Sequence, residues 1–238
     1  MIERRNVTEG PSRRAWTSSY PGTVIKAVVF DIGETLIDES RIWCRWADRL
    51  GVPRFTLLAL IGGMITQGRS HDDAFALVRP GIDIDAETVA WAADEPDSLR
   101  QNFDADDLYP DVRECFKALR DKGFSVVIAG NQPPQAAAAL QAMDLGAAGI
   151  YTSAQWGVEK PSPEFFHAVA RACGVPPEEI CYVGDRLDND VLAAGKSGMR
   201  TVLLKRGPWG YLHAAAPGAA KADLILDGLA GLPAALAS

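Results

Sequence analysis

Val28-Val29-Phe30-Asp31-Ile32-Gly33-Glu34-Thr35-Leu36-Ile37-Asp38 is the stretch whose reading decides the fold. The apolar run from Val24 to Phe30 predicts a strand buried on both faces, as in a parallel sheet. The run breaks at Asp31, and Gly33 lets the backbone turn at once. A carboxylate at the carboxyl end of such a strand stands where open α/β sheets bind their ligands. By itself Asp31 reads as a turn residue.

Three later stretches give it company. Val126-Val127-Ile128-Ala129-Gly130-Asn131 is a second apolar run ending in a small polar turn. Gly157-Val158-Glu159-Lys160-Pro161 sets a lysine just before a proline-started helix, and Ile180-Cys181-Tyr182-Val183-Gly184-Asp185 is a third run ending in an acid, with Asp190 five residues on. In this order the four stretches resemble the signature of the haloacid dehalogenase-like hydrolase superfamily. The first, third and fourth match closely and the second in part, and the resemblance covers roughly residues 24 to 227.

The 238 residues suffice for a large core plus a smaller unit. A formal charge of -7 argues against a nucleic-acid or anionic-membrane surface, and no apolar run is long enough to span a bilayer. Cys44, Cys115, Cys173 and Cys181 are scattered without a Cys-x-x-Cys pair, which suits free thiols in a reducing cytoplasm. Residues 1–22 carry four arginines but no apolar segment behind them, and their Pro, Ser and Gly content predicts a flexible tail.

From residue 108 onward, predicted strands at 124–129, 149–151, 180–183, 201–204 and 223–226 alternate with helices. That pattern predicts a doubly wound parallel sheet with right-handed crossovers. Residues 207–221 read as loop. Residues 39–107 interrupt the alternation with helical stretches at 41–50, 55–65, 71–78, 86–93 and 96–103, and carry no strand signal. The expected organisation is an α/β core of residues 23–38 and 108–238 with an all-helical insertion at 39–107. The resemblance identifies such an insertion as a cap that closes over the reaction centre and selects the substrate. Arg41, Arg45 and Arg49 recur every four residues, the mark of a solvated helix face, while Trp43, Trp46 and Trp91 read as the core of the insertion.

The resemblance also implies roles. Asp31 corresponds to the family's nucleophile, which attacks a phosphoryl group and forms an aspartyl-phosphate. Lys160 corresponds to the lysine that neutralises nucleophile and phosphoryl charge, and Gly130 and Asn131 to the turn that receives the phosphoryl oxygens. Asp31, Asp185, Asp190 and the Gly33 carbonyl correspond to the Mg²⁺ site. The expected activity is therefore Mg²⁺-dependent hydrolysis of a small phosphorylated metabolite.

Two positions depart from that pattern. The family's second aspartate, two residues after the nucleophile, acts as general acid and base; here it is Gly33. The hydroxyl residue before the asparagine of the second motif is Gly130. Three explanations are open: another acid substitutes, with Glu34, Asp38 and His71 as candidates; the leaving group needs no acid; or the fold binds a ligand or partner without catalysis. Members lacking the second aspartate also include phosphonate-cleaving enzymes, which use a cap lysine absent from 39–107, and dehalogenases, which work without Mg²⁺.

Overall fold

The computed structural model describes residues 24–94 and 103–237. The predicted tail at 1–22 lies outside these residues, as does nearly all of the helix expected at 96–103.

Among the described residues six strands form one parallel sheet: β1 (Ala27–Phe30), β2 (Ser125–Gly130), β3 (Gly149–Thr152), β4 (Ile180–Gly184), β5 (Arg200–Leu204) and β6 (Leu224–Leu226), in the order β3-β2-β1-β4-β5-β6. The doubly wound parallel sheet expected from the alternation is what forms. β1 is shorter than the apolar run that predicted it, because Val24 is exposed and only Ala27 onward enters the ladder. The chain winds outward from β1 to β3, then returns to lay β4 on the other flank of β1. Register pairs Phe30 with both Ile128 and Val183, so the three inner strands end at nearly one level. The switch in winding direction falls between β1 and β4, where open sheets form their ligand crevice.

Alternation along each strand feeds two apolar layers. Val28 and Phe30 face a cluster with Phe116 and Leu119 of helix α5 (Val112–Asp121) and Leu140 of α6 (Pro134–Ala142). Ala27 and Val29 face Phe165, Phe166 and Val169 of α8 (Pro163–Cys173), which follows the short α7 (Ser153–Trp156). Helices thus cover both faces, as a sheet buried on both sides requires.

Between β1 and α5 the described residues form the α-helices α1 (Ser40–Leu50), α2 (Arg54–Thr66), α3 (Asp72–Val78) and α4 (Ile84–Asp94). Trp46, Phe75 and Trp91 pack together at their centre, with ring centroids 4.9 and 5.1 Å from Trp46. The arginine row of α1 is not a solvated face. Arg41 pairs with Asp107 and Asp104, and Arg49 reaches Glu87 (2.7 Å) and Asp94 (2.8 Å) on α4. The outgoing and returning chains run side by side: Asp38 N–H donates to Asp107 O (2.8 Å), and Tyr109 N–H to Leu36 O (2.9 Å).

Two segments differ from the sequence expectation. The helix expected between the strands at 180–183 and 201–204 begins as a π turn (Leu187–Val191) before α9 (Leu192–Lys196). Residues 207–214, expected as loop, form α10 (Gly207–Ala214). Its Pro stands in the first helical turn, where Pro is tolerated. Gly210 lets the helix lie against β5, since a Cβ there would stand 3.2 Å from the Lys205 backbone. The chain closes with α11 (Leu232–Ala235). No single helix among the described residues is long and apolar enough to cross a membrane.

Candidate functional site

The carboxyl ends of β1, β2 and β4 deliver the side chains that sequence reading singled out. Asp31 leaves β1 with its N–H on Val183 O (2.9 Å), so its position follows directly from the sheet. Asp185 is the first residue after β4, and Asp190 returns to it on the π turn. Asp31, Asp185 and Asp190 are all buried and offer oxygens within 4.8 Å of one another.

Gly184 permits that approach, because a Cβ there would stand 2.6 Å from Asp190 Cβ. The other Asp190 oxygen accepts the Arg186 N–H at 2.9 Å, which fixes the carboxylate from behind.

Lys160 enters between two of these acids. Its Nζ lies 2.6 Å from Asp31 Oδ1 and 2.6 Å from Asp190 Oδ1, and 5.6 Å from the centroid of the Tyr182 ring. Tyr182 in turn donates to Ala129 O at 2.7 Å. Asn131 holds the lysine's main chain: its Nδ2 donates to Lys160 O (2.9 Å) and its Oδ1 accepts Lys160 N–H (2.8 Å). The Asn131 amide is therefore committed to Lys160. Gly130 lies directly against Asp31; a Cβ there would stand 2.5 Å from Asp31 Oδ1.

Electrostatics decide what this cluster accepts. Burial raises the Asp185 pKa well above the usual carboxylate range, and the Asp190 and Asp31 carboxylates raise it further. Burial also lifts Asp190, to about 6, against the pull of Lys160. Burial opposes the Lys160 ammonium, yet Asp190 and Asp31 more than offset it and hold its pKa well above that of an ordinary lysine. Three buried carboxylates against one ammonium leave an excess of negative charge, which is costly unless a cation compensates it. All-oxygen donors suit a hard divalent ion, so the residues fit a metal of the Mg²⁺ type.

Across the cluster lies a cavity of about 350 Å³. Asp31, Asn131, Lys160 and Asp185 line its floor, while Trp43, Trp46 and Phe75 from the inserted helices and Trp209 from α10 line its walls. Trp43 and Trp46, read as core, also face this space; Trp91 packs behind Trp46.

Each of the three acid–base candidates near the gap at Gly33 has a partner of its own, and Glu34 and His71 also line the cavity. Glu34, with φ 50°, accepts Tyr109 OH at 2.6 Å and Glu39 N–H at 3.1 Å. Asp38 accepts Ser40 N–H at 2.9 Å, at the start of α1. His71 pairs with Asp72 (3.2 Å), its ring set against Trp43 and Trp209.

What stands over Gly33 is Glu39, which sequence reading missed. A Cβ at Gly33 would lie 2.9 Å from the Glu39 carboxyl carbon. Burial lifts the Glu39 pKa to about 8, with Glu34 and Asp31 adding to the effect and hydrogen bonds from Trp43 and Gln132 opposing it. Nothing in the spacing of residues 33 and 39 announces this meeting, since a loop closure creates it. Trp209 was missed because its helix was read as loop.

Comparison with known proteins adds a second line. A family model described as haloacid dehalogenase-like hydrolase matches residues 25–198. A glyceraldehyde 3-phosphate phosphatase of Methanopyrus kandleri is 32% identical over 206 residues, 78% of this chain and 86% of the relative. A phosphoglycolate phosphatase of Pseudomonas putida is 29% identical, over 90% of this chain and 80% of its own. Among solved structures, a phosphatase from Thermococcus onnurineus superposes with a TM-score of 0.56 at 23% identity, over 89% of this chain and 98% of its own. The L-2-haloacid dehalogenase of Xanthobacter autotrophicus gives 0.60 at 20%, over 90% and 99%. At these identities the two structures speak for the fold.

Proposed function

The chain belongs to the haloacid dehalogenase-like hydrolase family, and on that premise we propose that it is a Mg²⁺-dependent phosphatase of small phosphorylated metabolites. The observation that carries the reading is the buried group of Asp31, Asp185 and Asp190 with Lys160 Nζ between two of its members. Phosphoryl transfer runs on charge neutralisation and positioning, which buried carboxylates able to hold a divalent ion beside an ammonium supply. Full-length relatives named as phosphatases of two small phosphorylated compounds support the same reading, and the cavity volume suits a substrate of that size.

In this reading Asp31 attacks phosphorus in line and the ester oxygen departs, giving an aspartyl-phosphate that water then cleaves. Lys160 balances the charge of Asp31 and of the incoming phosphoryl oxygens. Asn131 holds Lys160 in place, and Gly130 lets the turn after β2 pass directly against Asp31. Asp31, Asp185, Asp190 and the Gly33 carbonyl would hold Mg²⁺, which supplies further neutralisation of phosphoryl charge when bound. Helices α1–α4 act as the cap, with residues 39–107 as the inserted unit, and Trp43, Trp46 and Phe75 screen the reaction from water. The free thiols agree with a cytoplasmic setting.

The test is phosphate release from p-nitrophenyl phosphate and acetyl phosphate, with and without Mg²⁺, by wild type and Asp31→Asn. Metal-dependent release abolished in the variant is the expected result. Release that survives Asp31→Asn, or none from either compound, would overturn the reading.

A further inference from the structure

We propose that the Glu39 carboxyl is the general acid and base of this chain, working from the place that Gly33 leaves open. The inference rests on the phosphatase reading and supplies the group that reading lacks. Its basis is position. A side chain begun at Gly33 would run into the Glu39 carboxyl, so that carboxyl fills the volume that a longer residue at 33 would occupy beside Asp31. Glu39 lines the same cavity as Asp31 and Lys160, together with Trp43 and Phe75 of the inserted helices.

The carboxyl is also built into place. Glu39 immediately precedes α1, and its N–H is held by Glu34 Oε1 at 3.1 Å. Glu34 is fixed in turn by Tyr109 OH and by the close passage of Gly207, where a Cβ would stand 2.7 Å from the Glu34 carboxyl carbon. Glu39 itself takes hydrogen bonds from Trp43 and Gln132, and among the acids near the site its carboxyl is the one that lies against Gly33.

Asp31 Oδ forms a bond to phosphorus as the bond from phosphorus to the ester oxygen breaks, and that oxygen takes the Glu39 proton and leaves as an alcohol. The Glu39 carboxylate then removes a proton from the water that attacks the aspartyl-phosphate. Phosphate departs, and Asp31 and Glu39 are restored. An acyl phosphate has a leaving group stable as an anion, so its first half-reaction does not need the donated proton.

The experiment compares kcat/KM, which reports the first half-reaction, for phenyl phosphate and acetyl phosphate in wild type, Glu39→Gln, Glu39→Ala, Gly33→Asp and the double variant Gly33→Asp/Glu39→Ala. Glu39→Gln is expected to lower phenyl phosphate turnover by about 10²- to 10⁴-fold and acetyl phosphate turnover by less than about tenfold. Gly33→Asp alone is expected to impair the enzyme, because its side chain meets Glu39. In the Glu39→Ala background the same change restores turnover of phenyl phosphate. Equal losses on both compounds, no loss at all, or no rescue in the double variant would overturn the role of Glu39 while leaving the phosphatase reading standing. A wild type inactive on both compounds would overturn the two together.

Discussion

Asn131 grips the peptide of Lys160 at both ends, donating to its carbonyl at 2.9 Å and accepting its N–H at 2.8 Å. The residue just past β2 thereby sets the height of an ammonium contributed by a loop 29 residues further along.

Asn131→Ala removes both bonds and leaves a polar peptide less well satisfied. A stability loss of about 1–3 kcal/mol is expected, by urea denaturation. The lysine head group loses its register with Asp31, and kcat falls roughly 10²-fold, the scale expected for small misplacements. Asn131→Asp keeps the acceptor alone and falls between the two. Loss of stability with unchanged kcat would contradict this account.

Lys160→Met leaves Asp31, Asp185 and Asp190 with no ammonium among them. Removing one partner of a buried ionic group costs about 3–5 kcal/mol, and phosphatase activity is expected to vanish. Without divalent metal the variant unfolds at lower denaturant, and added Mg²⁺ raises its stability by about RT ln(1 + [L]/Kd). The same titration on Asp185→Asn should show a weaker response, measured by thermal melting with and without chelator.

Gly184→Ala places a methyl group against Asp190, where the ideal Cβ lies 2.6 Å from Asp190 Cβ. Both atoms sit close to backbone, so neither can swing aside. Overpacking of this kind costs about 1–3 kcal/mol, and the Asp190–Lys160 pair opens with it. Melting temperature and kcat should fall together.

His213 Nδ1 accepts the N–H of Leu187 at 3.0 Å, at the start of the π turn that carries Asp190, so Nδ1 must be free of a proton. Burial lowers its pKa; Asp188 opposes the shift and Arg186 adds to it. The unfolded chain takes up a proton near the ordinary histidine value of about 6.5 before the folded chain does. The stabilisation is thus fully present above that pH and is lost as pH falls toward the folded value. A denaturation series across this range should show a slope that His213→Gln diminishes.

How much of this was legible in the chain depends on what fixes each residue. Asp31, Asn131 and Asp185 sit at strand ends, and an apolar run broken by a small polar turn marks such ends without ambiguity. Lys160 and Asp190 stood out only through the resemblance of their stretches to the family's signature. Glu39 was not legible, because its place over Gly33 depends on how the loop of Glu34 closes, a left-handed turn braced by Tyr109 and Gly207 from distant parts of the chain. Trp209 was hidden in a stretch whose Gly and Pro weaken any helix signal. Their purpose is tertiary: a Pro in the first turn and a Gly that lets the helix touch β5. The ion pairs of Arg41 and Arg49 were invisible for the same reason, since periodicity shows a face but not what covers it.

Arg206 donates to Thr35 O at 2.8 Å and pairs with Asp111, which also accepts Leu229 N–H. The loop after Asp31 is thus completed by residues far along the chain, and β1 itself needs β4 beside it. A chain cut before Arg206 would leave Thr35 O and Asp111 without their guanidinium, so the shape of the turn beside Asp31 depends on a residue 171 positions beyond Thr35.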